Sequence, residues 1–220
     1  MALKAIFFDH DGTLVNSEVE HCRFWQTAMQ QYGYTLTTAE YMAVYSGIPG
    51  LLNAQMLVDD YGMSVSSAEL FQVKEAITQA YLDQKPYPLM PEVREVLAWV
   101  KQQSLVSAVV SGADSVRVSR SLQGNQISGY FDFVCCAEDV AHNKPDPAVY
   151  TLALERSGFK ADECLAIEDT NVGVQSAIEA GLVCCAIRND YAPDHDLSQA
   201  TVIVNNMTEV RDWVRATYGL

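Results

Sequence analysis

From about residue 90 onward the chain alternates short β-rich apolar runs with longer amphipathic ones, and this alternation restricts the fold more than any other feature. Strands are expected over Leu105–Val110, Phe131–Cys135, Cys164–Ile167, Val183–Ile187 and Thr201–Val204. Helices are expected between them, over Pro91–Gln103, Ser115–Leu122, Pro147–Ser157 and Val172–Ala180, with a last one at Thr208–Tyr218. Strands separated by helices return by crossing a sheet face, which makes neighbours parallel and covers the sheet on both sides. Lys4–Phe8 reads as the opening strand of the same α/β sheet.

Residues 17–88 break that rhythm. They contain no convincing strand but four helical stretches, 17–32, 37–46, 50–61 and 66–83, separated at Tyr32-Gly33, Ser46-Gly47-Ile48-Pro49-Gly50 and Tyr61-Gly62. The exit, Lys85-Pro86-Tyr87-Pro88, has the composition of a linker. The expected organisation is a Rossmann-like parallel sheet core, residues 1–16 and 89–220, with a four-helix domain, 17–88, inserted after the first strand. Because the first strand must pair with strands that follow the insertion, the two crossings should lie side by side as a hinge.

Charge narrows the partners. A formal net charge of −14 disfavours nucleic acid and anionic membranes, which are bound by basic surface. Any phosphate site must then be built locally, from a metal ion and one or two lysines. The apolar stretch Ala5–Phe8 is too short for a signal peptide or a span, and the six cysteines lack zinc-ligand spacing. Reduced, mostly buried thiols in a cytoplasmic protein, a monomer or weak homo-oligomer, are the expectation.

The chemistry concentrates at strand ends. Lys4–Phe8 runs into Asp9-His10-Asp11-Gly12-Thr13, two carboxylates where burial and mutual repulsion both oppose charge. Strand alternation would put Asp9 and Asp11 on one face and His10 on the other. Three later strands lead to Ser111-Gly112, to Asn143-Lys144-Pro145-Asp146-Pro147 and to Glu168-Asp169-Thr170. Open α/β sheets bind ligands at the carboxyl ends of their strands. The four segments together offer hard oxygen ligands, a hydroxyl and a lysine, the makings of a Mg²⁺ site beside a phosphate pocket.

Asp9-His10-Asp11-Gly12-Thr13, Ser111, Lys144 and Glu168-Asp169 resemble the four ordered motifs of the haloacid dehalogenase-like hydrolases. The inserted helices are similar to the cap of that family's β-phosphoglucomutase-like branch. The resemblance implies that Asp9 is a nucleophile forming an aspartyl-phosphate and that Asp11 is the acid and then the base. Lys144, Ser111 and Gly112 would contact phosphate, and Asp9, Asp11 through its backbone carbonyl, Asp169 and Glu168 would make up the metal site. A carboxylate meeting a phosphate dianion at about 4 Å faces roughly 8 kcal/mol of repulsion at an effective dielectric of about 20, so Mg²⁺ and Lys144 are needed together. A second aspartate suits an ester oxygen, which must be protonated to leave, better than a halide.

Three positions depart from, or refine, that pattern. His10 stands where the family commonly has an apolar residue, and a core or hinge imidazole is expected there. His21, in His21-x-Arg23-x-Trp25, looks like a substrate-contacting histidine of the branch and equally suits a packing role. Asn16 replaces a usual hinge aspartate. The 46–50 loop has no arginine, and residues 17–88 carry three basic side chains, Arg23, Lys74 and Lys85, against eight acidic ones. A bisphosphate would be poorly held, so hydrolysis of a small phosphorylated metabolite, a sugar or polyol phosphate, is expected over mutase action. The alternatives are a β-phosphoglucomutase-like mutase and a non-catalytic regulatory protein that keeps the fold.

Overall fold

The structure, a computed structural model, describes residues 2–190 and 195–220. Strand β1 (Ala5–Phe8) is followed by α1 (Ser17–Gln31), α2 (Thr38–Glu40), α3 (Gly50–Tyr61) and α4 (Ser67–Leu82). Then come α5 (Val93–Gln102), β2 (Val106–Val110), α6 (Ser115–Gly124), β3 (Phe133–Cys135) and α7 (Ala148–Ser157). The series closes with β4 (Cys164–Glu168), α8 (Asn171–Glu179), β5 (Val183–Ile187), β6 (Val202–Val204) and α9 (Met207–Tyr218). Two compact units result, one from the segments up to Asn16 and from Pro88 onward, the other from Ser17–Tyr87.

In the first unit six parallel strands form one sheet in the order β3-β2-β1-β4-β5-β6. The Ala-Ile-Phe-Phe run of β1 is central and wholly buried, as a strand covered on both faces requires. Chain direction across the sheet reverses at β1, with β2 and β3 laid down on one side and β4 to β6 on the other. Phe8 pairs with Val109 of β2 and Ile167 of β4, so the residues that follow these strands emerge level with one another. Phe7 packs edge-on against Phe133 in a core with Val110, Cys135, Val149 and Cys184. All six cysteines are buried and none is in a disulfide.

The helices of this unit start where the sequence offers caps. Asp114 accepts from the Arg117 N–H at α6, Thr170 from Gly173 at α8 and Asn206 from Glu209 at α9. The first two caps directly follow strand ends carrying candidate site residues, so two positive helix termini begin at that edge of the sheet.

The chain leaves and rejoins this unit by adjacent segments. The Asn16 N–H donates to the Pro88 carbonyl at 2.8 Å and the Met90 N–H to Leu14 at 2.9 Å, with Val15 and Leu89 bridged antiparallel. Pro88 therefore belongs with the sheet unit, one residue earlier than composition suggests.

The Ser17–Tyr87 unit has its own core, centred on Trp25, Met29, Tyr41, Leu57 and Leu70. The helix expected over 37–46 is a single turn, Thr38–Glu40, that widens into a π-helical turn, Tyr41–Tyr45, closed by Ser46 N–H on the Tyr41 carbonyl. The widened turn sets both tyrosines inward. Their hydroxyls donate to Glu18 at 2.6 Å and Asp60 at 2.7 Å, so the rings are buried without stranding a polar atom. Among the described residues no helix is long and apolar enough to cross a membrane.

Phe7 has no exposed surface at the centre of the sheet. Phe7→Ala is expected to cost about 3–5 kcal/mol in urea-unfolding free energy, since the flanking strands cannot collapse into the gap.

Candidate active site

The strand ends deliver their side chains to one buried group. Asp9 follows β1, its N–H donating to the Ile167 carbonyl of β4 at 2.9 Å. Glu168 is the last residue of β4, and Asp169 follows it. Ligand oxygens of Asp9, Glu168 and Asp169 all lie within 4.8 Å of one another, and all three residues are buried. Three carboxylates cannot share so small a volume unless positive charge accompanies them.

Lys144 supplies one such charge. Its buried Nζ donates to Asp9 Oδ1 and Glu168 Oε1, each at 2.6 Å, and to the Val110 carbonyl at 2.9 Å. Its three N–H bonds thus end on the tips of three neighbouring strands. The Tyr150 ring lies 5.0 Å from the ammonium, and its hydroxyl donates to Glu168 Oε1 at 2.8 Å. Glu168 Oε2 accepts from the Asp169 N–H at 3.2 Å, so both Glu168 oxygens are engaged within the protein.

Neighbouring loops fix the geometry. Asn143 donates to the Gly112 carbonyl and accepts from the Lys144 N–H, tying the loop after β2 to the lysine. Ser111 is buried, with its Oγ accepting from the Ala113 N–H at 3.0 Å. Asn189, beyond β5, donates to both the Gly12 carbonyl and Asp169 Oδ2 at 2.9 Å. Gly173 is required because a Cβ there would fall 2.0 Å from Glu168 Oε2.

Asp11 departs from the expected arrangement. Alternation ends with β1 at Phe8, and the chain turns through Gly12 at φ +84°. The Asp11 carboxylate therefore does not join the other three but meets His10, with Oδ2 3.0 Å from Nδ1. The expectation that Asp9 and Asp11 share a face opposite His10 is corrected: His10 and Asp11 are partners. His21 lies on α1 of the other unit, its ring edge-on to Phe24 and Tyr87.

Tyr150, Asn189 and Gly173 were not among the residues singled out from the sequence. Asn189 was within reach of the strand-end rule, since it stands two residues past β5. Tyr150 and Gly173 lie inside helices and acquire their roles only from the packing of α7 and α8 against Glu168.

Burial pushes the Asp9 carboxyl up to about 7, with Lys144 pulling it down and Glu168 adding to the rise. Burial, then Asp9 and Glu168, raises Asp169 well above the usual carboxylate range. Burial works against the Lys144 charge too, but Asp9 and Glu168 outweigh it and hold the ammonium above its ordinary value. One lysine does not balance three carboxylates. The shortfall of positive charge and the all-oxygen donor set fit a hard divalent cation such as Mg²⁺, with Asp9 and Asp169 better placed to ligate than the fully engaged Glu168.

Folded-state values of Asp9 and Asp169 above their unfolded ones mean that the folded protein keeps protons the unfolded chain has released. Stability without a cation should fall as pH rises from about 4 to about 7. Because Mg²⁺ competes with those protons, it should raise Tm by several degrees at about pH 8 and little at about pH 5. Equal increments at both, read by calorimetry, would contradict the assignment.

Comparison with known proteins identifies the family. Residues 6–187 match the model of the haloacid dehalogenase-like hydrolases. The chain is 29% identical over 185 residues to the fructose-1-phosphate phosphatase YqaB of Escherichia coli, covering 83% of this chain and 95% of that one. It is 26% identical over 181 residues to the 6-phosphogluconate phosphatase of the same organism, 82% and 80% being covered. The fold is that of β-phosphoglucomutase from Clostridium difficile, with a TM-score of 0.76 at 19% identity over 99% and 97% of the two chains. The family match spans every strand end that contributes to the buried acidic group, and the chain belongs to the haloacid dehalogenase-like hydrolases.

Proposed function

We propose that this protein is a Mg²⁺-dependent phosphatase of small phosphorylated metabolites, of the sugar or polyol phosphate class, acting through an aspartyl-phosphate on Asp9. The observation that carries the reading is the Lys144 ammonium seated 2.6 Å from both Asp9 and Glu168 inside a buried acidic group. A binding module has no use for a nucleophile poised against a lysine in this way. The phosphatase names of the curated relatives support the substrate class.

Asp9 attacks phosphorus while Lys144 draws charge from an equatorial oxygen. Ser111 and the backbone N–H groups beyond Asp11 orient the others. Asp9 and Asp169 would hold the cation, with the Asp11 carbonyl, and its chemistry is to neutralise phosphate charge. Asp11 gives its proton to the departing ester oxygen, then removes one from the water that releases phosphate. An acid on the leaving-group side must stand apart from the nucleophile, because the two lie at opposite ends of an in-line displacement. The place of Asp11 outside the carboxylate group suits that requirement. Gly112 shapes the phosphate loop, and His21 is kept as a candidate substrate contact of the helical unit.

Phosphate release over a panel of sugar and polyol phosphates, with and without Mg²⁺, tests the reading. Asp9→Asn should lose about a thousandfold or more in kcat while keeping its circular dichroism and cooperative unfolding. Asp11→Asn should cost about 10²–10⁴-fold on alkyl phosphates and much less on p-nitrophenyl phosphate, whose leaving group departs without a proton. Equal loss on both would remove Asp11 from the acid role. Formation of an isomeric sugar phosphate, dependent on a bisphosphate activator, would instead identify a mutase.

A further inference from the structure

Tyr150 is the third residue of α7 and has no exposed surface. It belongs to the core cluster of Val110, Cys135, Val149 and Cys184, where an apolar ring would serve packing alone. A hydroxyl carried into such a core must find an acceptor, and this one ends on Glu168 Oε1 at 2.8 Å. The proposed reaction makes no use of that bond.

The first turn of α7 is fastened to the segments on either side. The Ala148 N–H donates to Asp146 Oδ1 at 2.9 Å, and the Ser176 hydroxyl of α8 donates to the Asp146 carbonyl at 2.7 Å. Tyr150 is thereby tied to the loop that carries Lys144 and to the helix that follows Glu168. Its ring lies 5.0 Å from the Lys144 ammonium, while its hydroxyl reaches the carboxylate that the same ammonium holds.

Glu168 has little freedom left. Oε1 accepts two hydrogen bonds, from Lys144 at 2.6 Å and from Tyr150, one for each of its lone pairs. Oε2 accepts from the Asp169 N–H and lies where a Cβ on Gly173 would stand. Yet a Glu168 oxygen is within 4.8 Å of oxygens of Asp9 and Asp169, so a small rotation would bring it onto a cation held by those two.

We infer that Tyr150 is a positioning residue: its hydroxyl reserves Glu168 Oε1 for Lys144 and keeps it off the cation, so that the ammonium stays lodged between Glu168 and Asp9. This rests on the proposed Mg²⁺ site and on Lys144 as the group that draws charge from phosphate. Without the hydroxyl, Oε1 keeps one donor and a buried, unfilled acceptor position, which ligation of a divalent cation would relieve. Glu168 would then hold the metal more tightly and the lysine less firmly. A tyrosine serving the core alone would not produce two effects of opposite sign.

The test is calorimetric titration of Mg²⁺ into the phosphate-free protein, beside steady-state kinetics at saturating Mg²⁺. Tyr150→Phe keeps the ring over Lys144 and removes only the hydroxyl. Its Mg²⁺ dissociation constant should fall by about threefold or more. Its kcat should fall by about ten- to a hundredfold, with KM little changed. The loss should be the same on alkyl phosphates and p-nitrophenyl phosphate, because Lys144 acts on the phosphoryl group and not on the leaving group. In a Glu168→Gln background, whose neutral amide is a poor ligand for Mg²⁺, Tyr150→Phe should leave the Mg²⁺ constant unchanged. Should Tyr150→Phe not fold, Tyr150→Met, which also lacks a hydroxyl, serves with the same expectation for Mg²⁺. Unchanged or weaker Mg²⁺ binding, an undiminished kcat, or an equal shift in the Glu168→Gln background would overturn the inference, while the proposed function would stand. If the parent protein takes up no Mg²⁺, the cation site itself falls, and both readings with it.

Discussion

One ammonium group joins three strands. Lys144 is 135 residues from Asp9 in sequence, yet its nitrogen donates to the residue after β1, to the last carbonyl of β2 and to the last side chain of β4. Without it three carboxylates would face one another in a buried space, and three strand ends would lose their common partner. Such a buried ion cluster is weak evidence for stability, because desolvating the charges costs about as much as their attraction returns. Under the proposed function its rationale is chemical: the charge that lets the carboxylates coexist is of the sign that an incoming phosphate needs.

Most of the sheet was legible because parallel strands buried on both faces must be continuously apolar. Ala5–Phe8 and Val183–Ile187 are of that kind, and the polar residues where such runs stop marked the site. What could not be read was local geometry beyond the regular elements. Two-residue alternation predicts the direction of Asp11 only while the chain stays extended, and it turns after Phe8. The π-helical turn at Tyr41–Tyr45 was hidden for a similar reason. Its spacing matches an ordinary helix, and the acceptors that favour widening, Glu18 and Asp60, come from elsewhere in the chain.

The proposed function also asks an acidic protein to handle an anion. A net charge of −14 repels phosphate at long range, so attraction must be concentrated where the ligand binds. Lys144 and the starts of α6 and α8 gather positive charge within a small volume, and under the proposed function a cation held by Asp9 and Asp169 would add to it. Tyr150, Asn189 and Gly173 carry no charge to the site; they fix where the charged groups stand.

The central place of β1 has a consequence for how the protein is made. The strand synthesised first must wait for β2, and then for β4 beyond residue 163, before both its edges are paired. Ser17–Tyr87, by contrast, is continuous in sequence, with a core of its own contacts. On the ribosome the helical unit can therefore consolidate while the nascent sheet is still incomplete, since local contacts cost less chain entropy to close than distant ones. The strand that leads to Asp9 is the first part of the sheet to emerge and among the last to acquire all its neighbours.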